Sequence, residues 1–407
     1  LLKNKLNFTT LGLLGRLRVL KLFDFSNKTS QIYRKQLNLK KLKVANYKNY
    51  LSLTFLPHEK VNVLVGNNGM GKTNLLDAIY YLSMGKSAFA ASDRMVVCHG
   101  QDFFRMEALL GIDEEFKQII FKVQPPRIKE ILIDQVKLTK IGDLVGKFPS
   151  VMIAPSDVQQ LLEGSEPRRN FLNNMLVQTN ADYLASLLLY TNLLKERNAL
   201  LKDFQERKYL DDTLLDVLSE RMIAPANYIH QQREACVREL IPLFQAYYEK
   251  LSQSKEKAGL DYDSMLASKA FEQWMKEYRD RDKLLGRTGA GVHKDDLLFS
   301  MNGYPLKDFA SQGQLKSFVL SLKLAQYTWI AQSKSVHPIL LLDDIFDKLD
   351  ADRVRELLSM VSGAEFGQVF ISDTGPHRVG DLLLENGIAH KIFHVQDGSL
   401  TEFRLSE

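Results

Sequence analysis

Cysteine and long apolar runs are what this chain lacks. Cys98 and Cys236 are the two cysteines in 407 residues, far apart and without metal-ligand spacing. The simple reading of so few thiols is a reduced, cytosolic setting. No apolar run reaches the ~20 residues that a helix needs to cross a bilayer, so no membrane partner is expected and the expected location is cytoplasmic. A strong overall charge is missing as well. The net charge of +5 arises within residues 1–37, where Lys3, Lys5, Arg16, Arg18, Lys21, Lys28, Arg34 and Lys35 face one acid, Asp24. The remainder holds 46 bases and 48 acids. A nucleic-acid footprint therefore has to be a local patch, because the global balance does not argue for one. The length suits two domains, or one large domain with an insertion.

What is present is a phosphate-binding pattern. Val61 to Val65 is an apolar run that reads as a buried strand. It feeds the turn Gly66-Asn67-Asn68-Gly69-Met70-Gly71, and Lys72-Thr73 then open a helix that reads as amphipathic, with Leu75, Leu76, Ile79 and Tyr80. This is G-x-x-x-x-G-K-[ST] with a strand before it and a helix after it. The glycines let backbone N–H groups close around a polyphosphate, and the helix N-terminus adds partial positive charge. Lys72 is expected to reach the β- and γ-phosphates, and the Thr73 hydroxyl to bind Mg²⁺. Four fixed positions match by chance in roughly one chain of this length per hundred.

Taken in order, residues 1–37 are a basic extension with three readings: a disordered arm, a transit-type presequence, or translated upstream sequence foreign to the natural protein. The missing initiator Met and a domain start near Leu37 favour the last. Leu39 to Ala45 alternates apolar residues with lysine, which predicts an edge-like strand. Asn46 to Tyr50 is a turn, and Leu51 to Leu56 a second strand. Short strands follow from Met95 to Val145. Long helices are expected from Asp157 to about Gln253, with Pro225 and Pro242 punctuating them. No heptad is sustained, so this is a helical arm and not a coiled coil. β signals resume at Leu297. The expected organisation is thus an extension (1–37), a head lobe with the glycine turn (38–155), a helical arm (156–285) and a second head lobe (286–407).

Two further motifs carry chemistry. Ile339 to Leu342 reads as a strand buried on both faces that ends in Asp343-Asp344. Carboxylates at the C-terminal end of such a strand sit where open α/β sheets bind ligands. Asp343 is expected to hold Mg²⁺, and Asp344 to orient or deprotonate the attacking water. Ser311-Gln312-Gly313-Gln314 precedes an amphipathic helix, where a hydroxyl and N–H groups can face an anion. S-x-G before a helix is also common capping chemistry.

The order of glycine turn, long insertion, S-x-G-Q helix and acid strand resembles the ABC ATPase head. The insertion narrows the resemblance to the RecF family of bacterial recombinational-repair ATPases. That likeness covers nearly everything after Leu37. It rests on Asn46 to Tyr50, Thr73 to Ile79, Ala154-Pro155-Ser156-Asp157, Gly164 to Leu172, Tyr190 to Leu201, Gly291 to Asp296, Ser311 to Gln314 and Leu341 to Asp344. Three positions depart from it: Val292 and Lys294 stand where the family usually has Pro and Arg, and Lys316 where it has Arg. At Lys294 and Lys316 an Arg fork becomes a point charge. The threonine-rich switch of the family reads Ser372-Asp373-Thr374, which leaves open which residue senses the γ-phosphate.

The resemblance implies an α/β fold, a P-loop ABC-ATPase head of mixed sheet and β-rich lobe interrupted by a helical arm. It implies ATP and Mg²⁺ as cofactors, and an ATP-dependent homodimer with each nucleotide held between one P-loop and the partner's Ser311 to Gln314. Asp347-Lys348-Leu349-Asp350 matches the loop that crosses the dimer seam. Asn74 belongs with the nucleotide-binding residues, and Lys48 and Asn49 sit where related heads touch nucleotide, though either could be a plain structural turn. Slow hydrolysis is expected, because the shared site must assemble before Asp344 is placed. Double-stranded and single-stranded DNA, RecR and RecO, and RecA indirectly, are the implied partners. Arg168, Arg169, Arg197, Lys202, Arg207 and Lys208 are candidate DNA contacts along the arm, set against the reading of a solvated helix face with i,i+4 ion pairs. His293, isolated among glycines and acids, is open to a site role or a structural hydrogen bond. The competing readings are another ABC-type or SMC-like ATPase, which predicts a partner-facing groove or sustained heptads, and a small-molecule kinase, which leaves Ser311 to Gln314 unexplained.

Overall fold

The computed structural model describes residues 35–207, 211–252, 256–346 and 351–403. The chain opens with β1 (Lys35–Tyr47), β2 (Tyr50–Phe55) and β3 (Val61–Val65), followed by α1 (Lys72–Met84). The β-rich lobe adds β4 (Phe104–Ile112), β5 (Glu115–Gln124), β6 (Ile128–Ile133) and β7 (Val136–Lys137), and β8 (Ser150–Ile153) returns to the core. Four helices then run in sequence: α2 (Ser156–Glu163), α3 (Ser165–Thr179), α4 (Ala181–Arg207) and α5 (Asp212–Ser252). After them come β9 (Ala258–Asp263), α6 (Phe271–Leu285), β10 (Asp296–Met301), β11 (Tyr304–Pro305) and the short α7 (Leu306–Phe309). The remainder is α8 (Gln312–Lys334), β12 (Val336–His337), β13 (Ile339–Leu342), α9 (Ala351–Val361), β14 (Val369–Asp373), α10 (Pro376–Glu385), β15 (His390–Gln396) and β16 (Ser399–Phe403).

One six-stranded sheet has the order β16-β15-β3-β14-β13-β8. Its strands from β15 to β8 pair in parallel, and β3, β8, β13 and β14 are buried along their whole length. That is the burial expected of a parallel sheet covered on both faces. A seven-stranded sheet in the order β12-β1-β4-β5-β6-β7, with β2 also on β1, packs against it. Phe55 on β2 meets Phe370 and Phe393 with ring centroids 6.0 and 5.0 Å apart. Beside the slip in the β1–β4 register between Leu39 and Lys41, the Gln368 side chain binds the Leu39 backbone. Its Oε1 accepts from Leu39 N at 2.7 Å and its Nε2 donates to Leu39 O at 3.0 Å.

Three sequence expectations need correction. β1 is no edge strand, since it lies between β2 and β4. Alternating lysines report a solvated face, whereas an edge is a property of the backbone at right angles to it. α1 is buried nearly all round, including Asp77, because it packs against both sheets. Pro225 and Pro242 lie inside the single 41-residue helix α5. Each removes one backbone bond, and the packing of Leu215, Met222, Ile229, Leu240 and Phe244 into the core outweighs that loss. The three-stranded sheet β11-β10-β9 draws strands from both sides of residue 286, β9 pairing antiparallel with β10.

The helices are tied to the segment 282–296 by two buried ion pairs. Arg233 of α5 donates to Asp295 Oδ2 at 2.6 Å and to Val292 O at 2.7 Å, and Tyr262 adds a hydroxyl to the same carboxylate oxygen at 2.5 Å. Arg197 of α4 donates to Asp282 Oδ2 and to Thr288 Oγ1, both at 2.7 Å. Both guanidiniums and both acids are essentially inaccessible. Asp295→Ala leaves Arg233 charged in the interior, which costs about 3–5 kcal/mol. Urea unfolding is expected to show a midpoint lowered accordingly, and a loss under 1 kcal/mol would contradict this account.

His293 completes the junction. Its Nε2 lies 3.1 Å from the Thr288 carbonyl, which can only accept, so Nε2 carries the proton and Nδ1 accepts from Tyr190 Oη at 2.7 Å. Of the two readings of this histidine, the structural hydrogen bond is the one seen. Burial pushes its pKa from 6.5 down to about 4. The folded protein thus keeps His293 neutral while the unfolded chain binds a proton. Stability is fully present above pH 6.5 and falls by about 3 kcal/mol as the pH drops toward 4. His293→Gln is expected to flatten that part of the stability–pH curve, and an unchanged slope would refute it.

Candidate nucleotide-binding site

Two chain segments 270 residues apart build the site. The turn after β3 wraps the start of α1 in positions that only glycine tolerates. Gly66 has φ +151°, and a Cβ there would lie 2.3 Å from the Val395 carbonyl oxygen. Gly71 has φ +116°, and a Cβ would lie 2.5 Å from Asn49 Nδ2 and 2.9 Å from Tyr50 Oη. Asn49 bridges the turn, donating to Met70 O at 3.0 Å and accepting from Asn74 Nδ2 at 2.7 Å. Tyr50 Oη donates to Gly71 O at 2.9 Å. Lys72 is buried, with its ammonium folded back onto Gly66 O at 2.7 Å and Asn67 O at 3.2 Å. Gly69 and its neighbours Asn67 and Asn68 form the exposed lip.

β14 lies between β3 and β13, so the ends of all three strands converge. Thr73 Oγ1 donates to the Asp343 carboxylate, 2.9 and 3.0 Å from its two oxygens. Ser372 Oγ lies 2.8 Å from Asp343 Oδ1. Burial raises the pKa of Asp343, while hydrogen bonds from Ser372 and Thr73 and the Lys72 charge pull the other way. A buried carboxylate held by hydroxyls, facing a phosphate cradle, suits a hard divalent cation that takes its other ligands from phosphate and water. Thr73 and Asp343 are thus a fitting pair for Mg²⁺. Asp344 follows in a left-handed conformation, φ +44°, held by a bond from its N–H to Ser372 Oγ at 2.8 Å.

The remaining expected residues are placed differently. Lys48 turns away from the glycine turn and pairs with buried Asp77 at 2.7 Å. Asp77 also accepts from Tyr47 Oη at 2.9 Å and Ser87 Oγ at 2.7 Å. Ser311 and Gln314 form a capping box at the start of α8, Ser311 N donating to Gln314 Oε1 at 2.5 Å and Gln314 N to Ser311 Oγ at 3.3 Å. Ser311 and Gln312 are exposed and Gly313 partly so. Gln312 and Asp344 line the same groove of about 500 Å³, walled by α2 and α8. Asp347 to Asp350 lie outside the described residues.

Among the DNA candidates, Arg197 is corrected: it is 1% exposed and spent on Asp282. An arginine among leucines on a helix reads as a solvated face until its partner, 85 residues on, is known. Arg168 grips Asp296 with two bonds of 2.6 and 2.7 Å, and Arg169 donates to Asp295 O at 2.9 Å. Lys202 and Arg207 are exposed, Arg207 beside Asp203 at 2.8 Å. Lys208 lies outside the described residues. Tyr50 and the Asp77 network were not anticipated as parts of the site; an aromatic residue right after the Lys48-Asn49 turn was the available signal for Tyr50.

A glycine turn between buried strand and helix, meeting an acid-tipped parallel strand, defines a P-loop ATPase head. Residues 38–379 match the family profile described as RecF/RecN/SMC N terminal domain. The chain is 38% identical over 373 residues to the DNA replication and repair protein RecF of Bacteroides fragilis (strain YCH46), covering 91% of this chain and 99% of that protein. It is 38% identical over 359 residues to the protein of the same name from Flavobacterium johnsoniae, covering 88% and 100%. The chain belongs to the RecF family of DNA replication and repair proteins. The solved structure of the recombination mediator protein RecF-ATPrS in the RecFOR pathway superposes with a TM-score of 0.82 at 27% identity, covering 91% and 99%. An Smc head domain from Pyrococcus furiosus, at 17% identity and a TM-score of 0.53 over 91% and 97%, shares the ABC-type head fold. Among the described residues, no helix is long and apolar enough to cross a membrane.

Gly71→Ala forces Asn49 and Tyr50 off the turn. Fluorescent-nucleotide titration is expected to show affinity weakened at least tenfold, about 1.4 kcal/mol, with far-UV circular dichroism unchanged. Wild-type affinity would show that the turn yields without loss.

Proposed function

We propose that this protein is an ATP-gated DNA clamp of replication and recombinational repair. Two copies close around two ATP·Mg²⁺, each nucleotide held by one P-loop and by Ser311 to Gln314 of the partner. The observation that carries this reading is the Thr73–Asp343 contact, which joins P-loop and acid strand into one competent half-site, while Ser311 and Gln312 face solvent on their own chain. Similarity to RecF structures whose names include ATP and the RecFOR pathway supports it.

With phosphates in the cradle, the Lys72 ammonium exchanges the Gly66 and Asn67 carbonyls for phosphate oxygens. Thr73 and Asp343 would hold Mg²⁺, whose charge would offset that of the β- and γ-phosphates. Asp344 orients a water and takes its proton as the γ-phosphoryl group passes to that water and its bond to the β-phosphate oxygen breaks, leaving ADP. Hydrolysis is slow and DNA-stimulated, because Asp344 works only in the closed pair. ATP stabilises the closed pair by binding both copies, and its loss opens them. Lys202 and Arg207, both exposed on α4, would meet DNA phosphates. The clamp acts at junctions of single- and double-stranded DNA, with RecO and RecR, to help RecA load and so to support the SOS response.

Light scattering tests this directly. The 46.5 kDa chain is expected to double its mass with ATP·Mg²⁺, and not with ADP or without nucleotide, and gapped duplex is expected to bind only the doubled form. Lys72→Ala is expected to remain a monomer throughout. A Lys72→Ala protein that still doubles at saturating ATP, or a wild type that ignores ATP, would overturn the reading.

A further inference from the structure

Ser372 is fully buried at the end of β14, between the P-loop strand and the acid strand. The strand register explains its position. Ile371 lies opposite Leu342, so the next residue on each strand, Ser372 and Asp343, face each other. Its Oγ accepts the Asp344 N–H at 2.8 Å, and lies 2.8 Å from Asp343 Oδ1 and 3.3 Å from Asp344 Oδ1. A hydroxyl has one proton, so it serves one carboxylate at a time. The two residues that follow it are engaged elsewhere. Asp373 is buried and receives Arg378 Nε at 3.1 Å and Thr374 N at 2.6 Å, while Thr374 is exposed.

We propose that Ser372 is a positioning residue that couples the two carboxylates. Its oxygen pins Asp344 in the left-handed turn through the backbone N–H. Its O–H donates to Asp343 at 2.8 Å, and would swing to Asp344 Oδ1, 3.3 Å away, when Asp343 turns toward a cation and its phosphates. Binding at one carboxylate thereby orients the other. Thr73 cannot do this, because both of its close contacts are to Asp343. The inference rests on the ATPase reading above and assigns Ser372, not Asp373 or Thr374, to the step between binding and hydrolysis.

The test uses the full chain as wild type, Ser372→Ala, Ser372→Thr and Ser372→Cys. Fluorescent-nucleotide affinity in EDTA is expected to stay within about twofold for all four, since no Ser372 atom is needed for the glycine cradle. Ser372→Ala is expected to lose roughly 10- to 100-fold in kcat with KM for ATP changed less than about threefold, the loss typical of one hydrogen bond to a charged group. The Mg²⁺ midpoint of the nucleotide fluorescence signal is expected to rise about fivefold in the same variant. Ser372→Thr is expected to restore both, and Ser372→Cys, a weak donor of nearly the same size, to fall between. If Ser372→Ala does not fold by thermal melt, the Cys and Thr pair decides alone. Wild-type kcat and Mg²⁺ midpoint in Ala or Cys, or a Thr variant as impaired as Ala, would overturn the proposal. A wild type that binds no nucleotide would instead overturn the ATPase reading, and this inference with it.

Discussion

A hydrogen bond of 2.9 Å between Thr73 and Asp343 joins parts of the chain 270 residues apart, and the architecture depends on that closure. Parallel strands cannot be joined by a hairpin, so each neighbour of β3 arrives by a long excursion. The largest excursion leaves the core after β8 and returns at α8 and β13. Because β8 and β13 are themselves paired, the arm is inserted at a seam between adjacent strands and not through a strand. The sheet can therefore carry a large insertion without losing register. The site itself is complete only when this non-local pairing is in place.

An inserted arm needs fixing if it is to move with the head. Apolar packing alone tolerates sliding, whereas a buried ion pair tolerates one geometry. Arg233–Asp295 and Arg197–Asp282 are placed where α5 and α4 meet the 282–296 segment. Such pairs add little net stability against an apolar substitute, but losing one partner strands a charge. What they supply here is a directional contact, each guanidinium facing its own acid. Asp77 does the same inside the head, gathering Tyr47, Lys48 and Ser87 around α1 so that the turn before it is held from below.

The sequence carried the site's frame better than its wiring. β3, α1 and β13 were legible because glycine spacing and four-residue apolar runs are local signals, and they lie within a residue or two of expectation. Asp343 and Asp344 were legible for the same reason. Arg197 was not, since nothing local distinguishes a solvated arginine from one whose acid lies 85 residues away. Nor was the place of β1, because face alternation is silent about which strands lie beside it. Pro225 and Pro242 misled because local backbone preference was overruled by packing along α5. Ser372 stood in the sequence as one of three adjacent polar residues, and only the register with β13 separates it from Asp373 and Thr374.

The capping box at Ser311 bears on how the two copies would engage. Gln314 is held strongly: its Oε1 takes Ser311 N at 2.5 Å, and its Nε2 donates to Glu256 at 2.6 Å. The bond from Gln314 N to Ser311 Oγ is long at 3.3 Å. An N-cap side chain contributes about 1 kcal/mol, and less at such a distance, and a hydrogen bond donated by the same hydroxyl to a charged acceptor would add roughly 1.5–3 kcal/mol. A phosphate arriving from a partner copy would accept the Ser311 hydroxyl proton while the same oxygen still accepts from Gln314 N, so the cap is kept and Gln314 still ties the first turn to Glu256. Gln312 extends from that same first turn into the groove that Asp344 lines. On this geometry the motif is a helix end whose serine can cap its own helix and donate outward at once, while the Gln314 bonds keep its direction, which suits a shared and reversible phosphate contact.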